Sequence, residues 1–432
     1  MGCLIPIFRA FVAFVLFVII FVSFLSYLIV NNVAGKLLSA DFYTNTLESE
    51  DTYNRIYNDV LLDGELEQTT GRLLGDIQIA SHQEVVELLR EIMPPEYIQS
   101  EVEGAIGRTV DYFNEDAENL GLYIDLNLPL NNVKPVMINY IDKRILELEV
   151  EDSDFSGCSL NAAQSVADTF RVMFDQLAGG VVPKSAPSLE EIKPVCRVII
   201  FELAYGSLID GAGLNESTSA ILENSKEDLR APFENGDTIQ VLKLSTRLLV
   251  EPKIDTAIDG VRENLTGTGQ FDLISQIVEW DGDRTESQLR ADLAGGRDWI
   301  SKASNFGDMT SLVMVIGGTA IMGLIFFPTL SGMLRWPGTT LIITGGFFFA
   351  VGKIAQSKVP EALSDAWETS ADRVSDVPPA VTDLGTDILV SFGSQLTDGF
   401  VAPSITMLTF GVILLSTSFS SIILKRFIPV LK

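Results

Sequence analysis

Four apolar runs limit what this chain can fold into more than any other feature. Residues 10–30, 309–334, 336–352 and 401–424 contain no Asp, Glu, Lys or Arg. Each approaches the roughly 20 residues that a helix needs to cross about 30 Å of hydrocarbon. Charged side chains are the costliest groups to place in a bilayer, so runs of this length without one predict transmembrane helices. The expected fold is a mainly α membrane protein. It has four transmembrane helices, one N-terminal and three C-terminal, and a large, mostly helical extracytoplasmic domain with at most a small β element.

Basic residues beside the runs set the orientation. Arg9, Arg335, Lys425, Arg426 and Lys432 fall in the N-terminus 1–9, a short turn at 331–335 and the tail 425–432, which hold no acidic residue. Such residues are retained in the cytoplasm. Both termini are therefore expected inside a plasma membrane, with residues 31–308 and an amphipathic loop 353–400 outside. All 58 acidic residues of a chain of net charge −28 then lie outside. An uncleaved anchor is expected for the first run, because its apolar stretch exceeds the usual h-region of a signal peptide and the residues after it make a poor cleavage site. Cys3 in Met1-Gly2-Cys3 lacks the context of a myristoylation motif or a lipobox and is read as a bystander, or at most a palmitoylation site.

The other two cysteines, Cys158 and Cys196, both fall outside the membrane. An isolated pair in an oxidising compartment reads as one disulfide, the alternative being two buried free thiols. Two sequons, Asn215-Glu216-Ser217 and Asn264-Leu265-Thr266, share that compartment.

Apolar residues at helical spacing dominate residues 31–308. They predict helices at 41–62, 82–93, 95–119, 134–150, 160–178, 216–232, 238–249 and 253–265, and a final helix at 284–303 running toward the second span. The clearest strand signal is 122–128, where Leu122, Ile124, Leu126 and Leu128 alternate with Tyr123, Asp125 and Asn127. A Gly-, Pro- and Ser-rich stretch at 179–194 suggests subdomains near 36–178 and 195–300. In the loop 353–400, Val381, Leu384, Ile388, Phe392 and Leu396 form one helical stripe. The acidic residues beside it favour docking on the ectodomain over lying on the membrane.

Catalytic chemistry has little support. His82 is the single histidine, which excludes sites built on two or three imidazoles. It stands before a helical stripe as a solvated helix-start residue. No nucleophile elbow, phosphate-binding loop or dinucleotide fingerprint is present. Glu279, Asp281, Asp283 and Glu286 lack the ligand spacing of an EF-hand. A paired-carboxylate arrangement stays open, because two acids can converge from anywhere in a chain. No catalytic residue, metal ligand or cofactor is assigned, and the acidity argues against nucleic acid as a partner.

The runs carry no intramembrane charge of the kind transporters use. Their polar content is Gly317, Gly318, Gly323, Gly345, Gly346, Gly411 and hydroxyls such as Ser416, Thr417, Ser418, Ser420 and Ser421, which suit close helix packing. The first run carries Phe11, Phe14, Phe17, Phe21 and Phe24, suited to lipid or to a large-into-small fit against those glycines. The leading expectation is a non-enzymatic binding, interaction or scaffold protein at the cell surface. Its expected partners are the lipid bilayer and a protein partner or second copy, met through the ectodomain or the helix bundle. The alternative is a channel or transporter subunit with hydroxyls and glycines lining its pore. An extracytoplasmic enzyme is the third class.

Overall fold

The computed structural model describes residues 4–64, 81–152, 158–179, 181–211, 216–263, 265, 269–281, 284–327, 329–371 and 378–427. In chain order the helices are α1 (Leu4–Ile29), α2 (Ala40–Ser49), α3 (Thr52–Arg55), α4 (His82–Ile92), α5 (Pro95–Phe113), α6 (Asn127–Leu146), α7 (Leu160–Ala178) and α8 (Pro194–Gly211). They continue as α9 (Glu216–Asn224), α10 (Lys226–Asn235), α11 (Thr238–Glu263), α12 (Leu273–Asp281), α13 (Glu286–Ile325), α14 (Leu330–Ala371) and α15 (Pro379–Phe427). π-Helical turns at Val30–Ala34 and Ile56–Val60, and one α-turn at Gly35–Leu37, fill gaps between them. The strands are β1 (Tyr123–Asp125), β2 (Glu149–Glu151), β3 (Ser185–Pro187) and β4 (Gln270–Asp272). The protein is thus mostly helical with few strands.

Three helical stretches are long and apolar enough to cross a membrane: Arg9–Leu37, Leu330–Ala371 and Pro379–Ser421. The run 309–334 differs from expectation. It is not one helix, because α13 ends at Ile325 and its apolar part is the shorter Thr310–Ile325. The reversal follows Ile325: the Phe327 amide bonds to the Leu324 carbonyl, and Phe326 stacks on Trp336 at 5.1 Å. The turn expected at 331–335 is therefore already helix, and Arg335 lies on α14. A reversal made by apolar residues leaves no break in a hydropathy profile.

The chain divides into two compact units, one of Met1–Arg55, Val102–Leu122 and Ile274–Lys432, the other of Ile56–Glu101 and Tyr123–Leu273. Gly179 and residues 181–194 lie within the second unit. In the first unit α1, α13, α14 and α15 share one core of Ile20, Phe24, Leu28, Val315, Met322, Leu341, Phe348 and Met407. The loop expected at 353–400 is largely helix: α14 continues to Ala371, and α15 begins at Pro379.

The second unit is built on a larger core. Phe170, Phe174 and Leu177 of α7 meet Ile200, Ala204 and Leu208 of α8, Phe233 of α10 and Leu242 and Leu249 of α11. Phe233 joins the two helices through ring contacts to Phe170 at 5.0 Å and Phe201 at 5.5 Å. Each fully buried Phe or Leu contributes about 1.5–3 kcal/mol. Helix α7 occupies its expected range, started by the Ser159 hydroxyl, which accepts the Ala162 amide at 3.3 Å. Elsewhere the boundaries move. Helix α6 begins at Asn127 and holds Pro135 inside, so Asn127 and Leu128 are helical rather than strand. Helix α5 stops at Phe113, before Glu115 takes a left-handed φ of 68°.

The stretch 216–232 divides at Ser225, and α10 runs on to Gly236, whose φ of 86° closes it. Residues 238–263 form one helix through Pro252, where two were expected. A proline removes one intrahelical bond without forcing a break when tertiary contacts hold both halves, and Leu249 and Ile258 are buried on either side of it. The strands make two separate ribbons. β1 and β4 are antiparallel, with Ile124 opposite Phe271. β2 and β3 are parallel, with Val150 opposite Ala186.

Candidate functional site

The first unit is organised by a seven-residue repeat of small residues. Ser331, Gly338, Gly345 and Gly352 recur on α14, and Thr397, Ser404, Gly411 and Ser418 on α15. A repeat of seven keeps one face turned toward a partner helix as both supercoil, and here the helices run antiparallel. At one end the Ser418 hydroxyl donates to the Ser331 carbonyl at 2.9 Å. Next along, a Cβ on Gly338 would stand 3.0 Å from the Gly411 carbonyl oxygen and the Leu415 nitrogen. On Gly345 it would stand 2.7 Å from the Leu408 nitrogen and 2.9 Å from the Ser404 carbonyl oxygen. Backbone meets backbone at these levels, a contact only a residue without Cβ allows. Further along, the Trp367 indole N–H donates to the Thr382 carbonyl at 3.0 Å, and Gly385 leaves room for the Trp367 ring.

Gly338, Gly345 and Gly411 thus face main-chain atoms of the opposite helix, whereas Gly317 has nothing within 4 Å of its Cβ position. The hydroxyls of Thr406, Thr409 and Thr417 donate to carbonyls one turn back, at 2.9, 2.8 and 2.7 Å. In the first run Ile20, not a phenylalanine, fits the small residue Gly318. The phenylalanines divide: Phe21 and Phe24 pack on Phe348 at 4.8 and 5.6 Å, whereas Phe11 and Phe14 are 64% and 63% exposed.

Residues 32–55 form a strap along the polar half of α15. Asn32 is 5% exposed in the π-helical turn, where its amide donates to the Leu28 carbonyl at 3.1 Å, and Gly399 facing it has no room for a Cβ. Next, Lys36 Nζ donates to the Gln395 carbonyl, and the Gln395 side chain donates to the Thr46 hydroxyl at 2.7 Å. Phe42 and Tyr43 of α2 pack on Phe392 at 5.2 and 5.6 Å. Arg55 closes the strap with an ion pair to Asp387 at 2.9 Å. The docking expected of the 380–400 stripe is met in part by α2. Tyr53 is buried within this unit. Burial, reinforced by the Glu103 and Glu48 carboxylates, pushes its phenol up to about 12.

In the second unit Cys158 and Cys196 are joined as a disulfide, with Cα atoms 5.6 Å apart. The neighbouring Arg197 was not singled out by sequence. It is 7% exposed and donates to three backbone carbonyls, those of Ile192, Glu190 and Glu234, at 2.7, 2.7 and 2.8 Å. Two of these lie in the segment before α8 and one at the end of α10, so the guanidinium ties two chain segments through its planar fork. An arginine beside a cysteine carries no sequence signal of that role. His82 begins α4 as expected, but its Nε2 lies 2.5 Å from the Leu61 carbonyl rather than in water.

A cleft of about 180 Å³ lies between α4 and α6. One side is a closed network in which the Tyr140 hydroxyl donates to Glu84 at 2.8 Å and Arg144 lies 3.9 Å from Glu84 and 3.5 Å from Glu147. The lining is completed by Glu87 and Glu91 of α4 and Asn139 and Lys143 of α6, all exposed, and by the buried Leu88 of α4. Among the described residues no group of three His, Cys, Asp or Glu is placed to hold a metal ion. Cys3, Asn215, Asn264, Thr266, Asp283 and the tail beyond Phe427 lie outside the described residues.

Comparison with known proteins gives little beyond this geometry. No family model matches the chain, and no solved structure matches it. Ornithine aminotransferase 2 of Staphylococcus aureus strains MRSA252, Mu50 / ATCC 700699 and N315 is 26% identical over 172 residues, 38% of this chain and 43% of theirs. The chain thus spans less than half the length of the curated relatives it matches, and a match of that extent does not make it a member of their family.

Proposed function

We propose that this chain is a four-span plasma-membrane protein with both termini in the cytoplasm. In this reading residues 31–308 form an extracytoplasmic, non-enzymatic binding or interaction domain. The observation that carries the fourth span is the placement of α13 beside α1. Ile20 fills the space at Gly318, and the Ser23 hydroxyl lies 3.7 Å from Met314 Sδ. The short apolar segment of α13 therefore runs antiparallel along the most apolar helix of the chain. If α1 crosses the bilayer, leaving α13 in water would expose that shared face. The basic residues at 1–9, Arg335 and 425–427 support the orientation.

Thiol labelling with a membrane-impermeant reagent, in a Cys3→Ser background, tests the topology. Thr329→Cys is expected to react only after permeabilisation, and Asp116→Cys in intact cells. Labelling of Thr329→Cys in intact cells would remove the fourth span. Cross-linking in native membranes, followed by mass spectrometry, then tests the interaction role. A stoichiometric partner or second copy is expected, and recovery of uncross-linked monomer alone would count against it.

A further inference from the structure

The cleft between α4 and α6 contains polar groups of both signs that have no side-chain partner among the described residues. Glu84, Tyr140, Arg144 and Glu147 bind one another. Lys143, Glu91 and Asn139 line the same cleft and have no side-chain partner among the described residues. No ion pair joins the exposed Lys143 and Glu91 among the described residues. A cleft of about 180 Å³ has room for several waters or a small ligand.

We propose that this cleft binds a small zwitterion of the amino-acid kind. Its ammonium group lies against the Glu91 and Glu87 carboxylates, and its carboxylate against the Lys143 ammonium and the Asn139 amide. The charge pattern selects this class. A dicarboxylate sets one end beside the glutamates, and a diamine sets one end beside Lys143. Only a ligand with both signs gives each wall its opposite charge. Leu88, buried and lining the cleft, offers apolar contact to an aliphatic stem.

The inference rests on the reading of the extracytoplasmic part as a binding domain and names a ligand class for it. The full chain in nanodiscs is titrated with L-alanine, L-lysine, putrescine and succinate, read by saturation-transfer NMR and calorimetry. Saturable binding of both amino acids is expected, with Lys143→Gln and Glu91→Gln each weakening it about tenfold or more. Both side chains are exposed and have no hydrogen bond or ion pair among the described residues, so both variants are expected to keep the parent unfolding temperature. Three results overturn the proposal: no saturable binding of either amino acid, binding that both variants leave unchanged, or putrescine binding tighter than either amino acid and insensitive to Lys143→Gln. Such a failure leaves the labelling of Thr329→Cys and the partner cross-linking to decide the membrane-anchored reading by themselves.

Discussion

Gly345→Ala is the sharpest perturbation of the helical hairpin. The new Cβ would stand 2.7 Å from the Leu408 nitrogen, 2.9 Å from the Ser404 carbonyl oxygen and 3.1 Å from the Leu408 Cα, all main-chain atoms that no side-chain rotation can move. Restoring an ordinary contact of about 3.4 Å requires α14 and α15 to separate by about 0.7 Å at this level. That separation loosens the contacts at Gly338 and Gly411, which meet the same backbone faces. Overpacking of this kind costs roughly 1–3 kcal/mol. The better helix propensity of alanine returns about 1 kcal/mol, so a net loss of up to about 2 kcal/mol is expected, against a net gain at a site with open space. Gly317→Ala is the matched control, since nothing lies within 4 Å of a Cβ built there. Thermal unfolding in one detergent, followed by circular dichroism, compares them. Gly345→Ala is expected to unfold earlier than the parent and Gly317→Ala no earlier. Equal stability of the two variants would refute the backbone-contact argument.

Further outcomes are expected in the second unit and in the tyrosines. Cys158→Ser opens a loop of 38 residues and is expected to lose roughly 3–4 kcal/mol by the chain-entropy model, with reductant lowering the parent's unfolding temperature alike. Arg197→Met removes the donor of three carbonyls and is expected to cost about 3 kcal/mol, and Arg197→Lys to recover only part, because one ammonium cannot span the fork. Denaturant titration of both variants checks this; full recovery by lysine sinks it. Tyr53 and Tyr97 both have phenols pushed up to about 12, by burial first and by nearby carboxylates second. A phenol whose folded value is raised stabilises the fold fully below its unfolded value, near 10, and loses that contribution as pH rises toward 12. Stability is therefore expected to fall between pH 10 and 12, and less steeply in Tyr53→Phe with Tyr97→Phe; an unchanged alkaline profile counts against burial as the cause.

Part of this was legible in the amino-acid sequence. The disulfide pair was, because Cys158 and Cys196 fall between the same two apolar runs and have one pairing available. Helix α7 was, because its apolar stripe and the Ser159 cap agree. The repeat at 331, 338, 345 and 352 against 397, 404, 411 and 418 was present in the sequence as well, and a search for small residues at seven-residue spacing finds it. Taken as composition, the same glycines fit a pore wall equally well, and only the backbone distances show them filled. The cleft was not legible, since α4 and α6 are separated by α5 and nothing in either stripe marks which charges meet.

Hydrophobicity acts locally and additively, so the sequence by itself determined that the chain is helical, that its apolar stretches gather at the two ends of the chain, and that its acidic residues lie between them and in the segment before the last run. Where an apolar run reverses, whether a proline ends a helix and which polar groups remain unpaired depend on what residues distant in sequence place nearby. The end of α13 at Ile325, the helix unbroken at Pro252 and the lack of a partner for Lys143 and Glu91 among the described residues were therefore decided only by the tertiary structure.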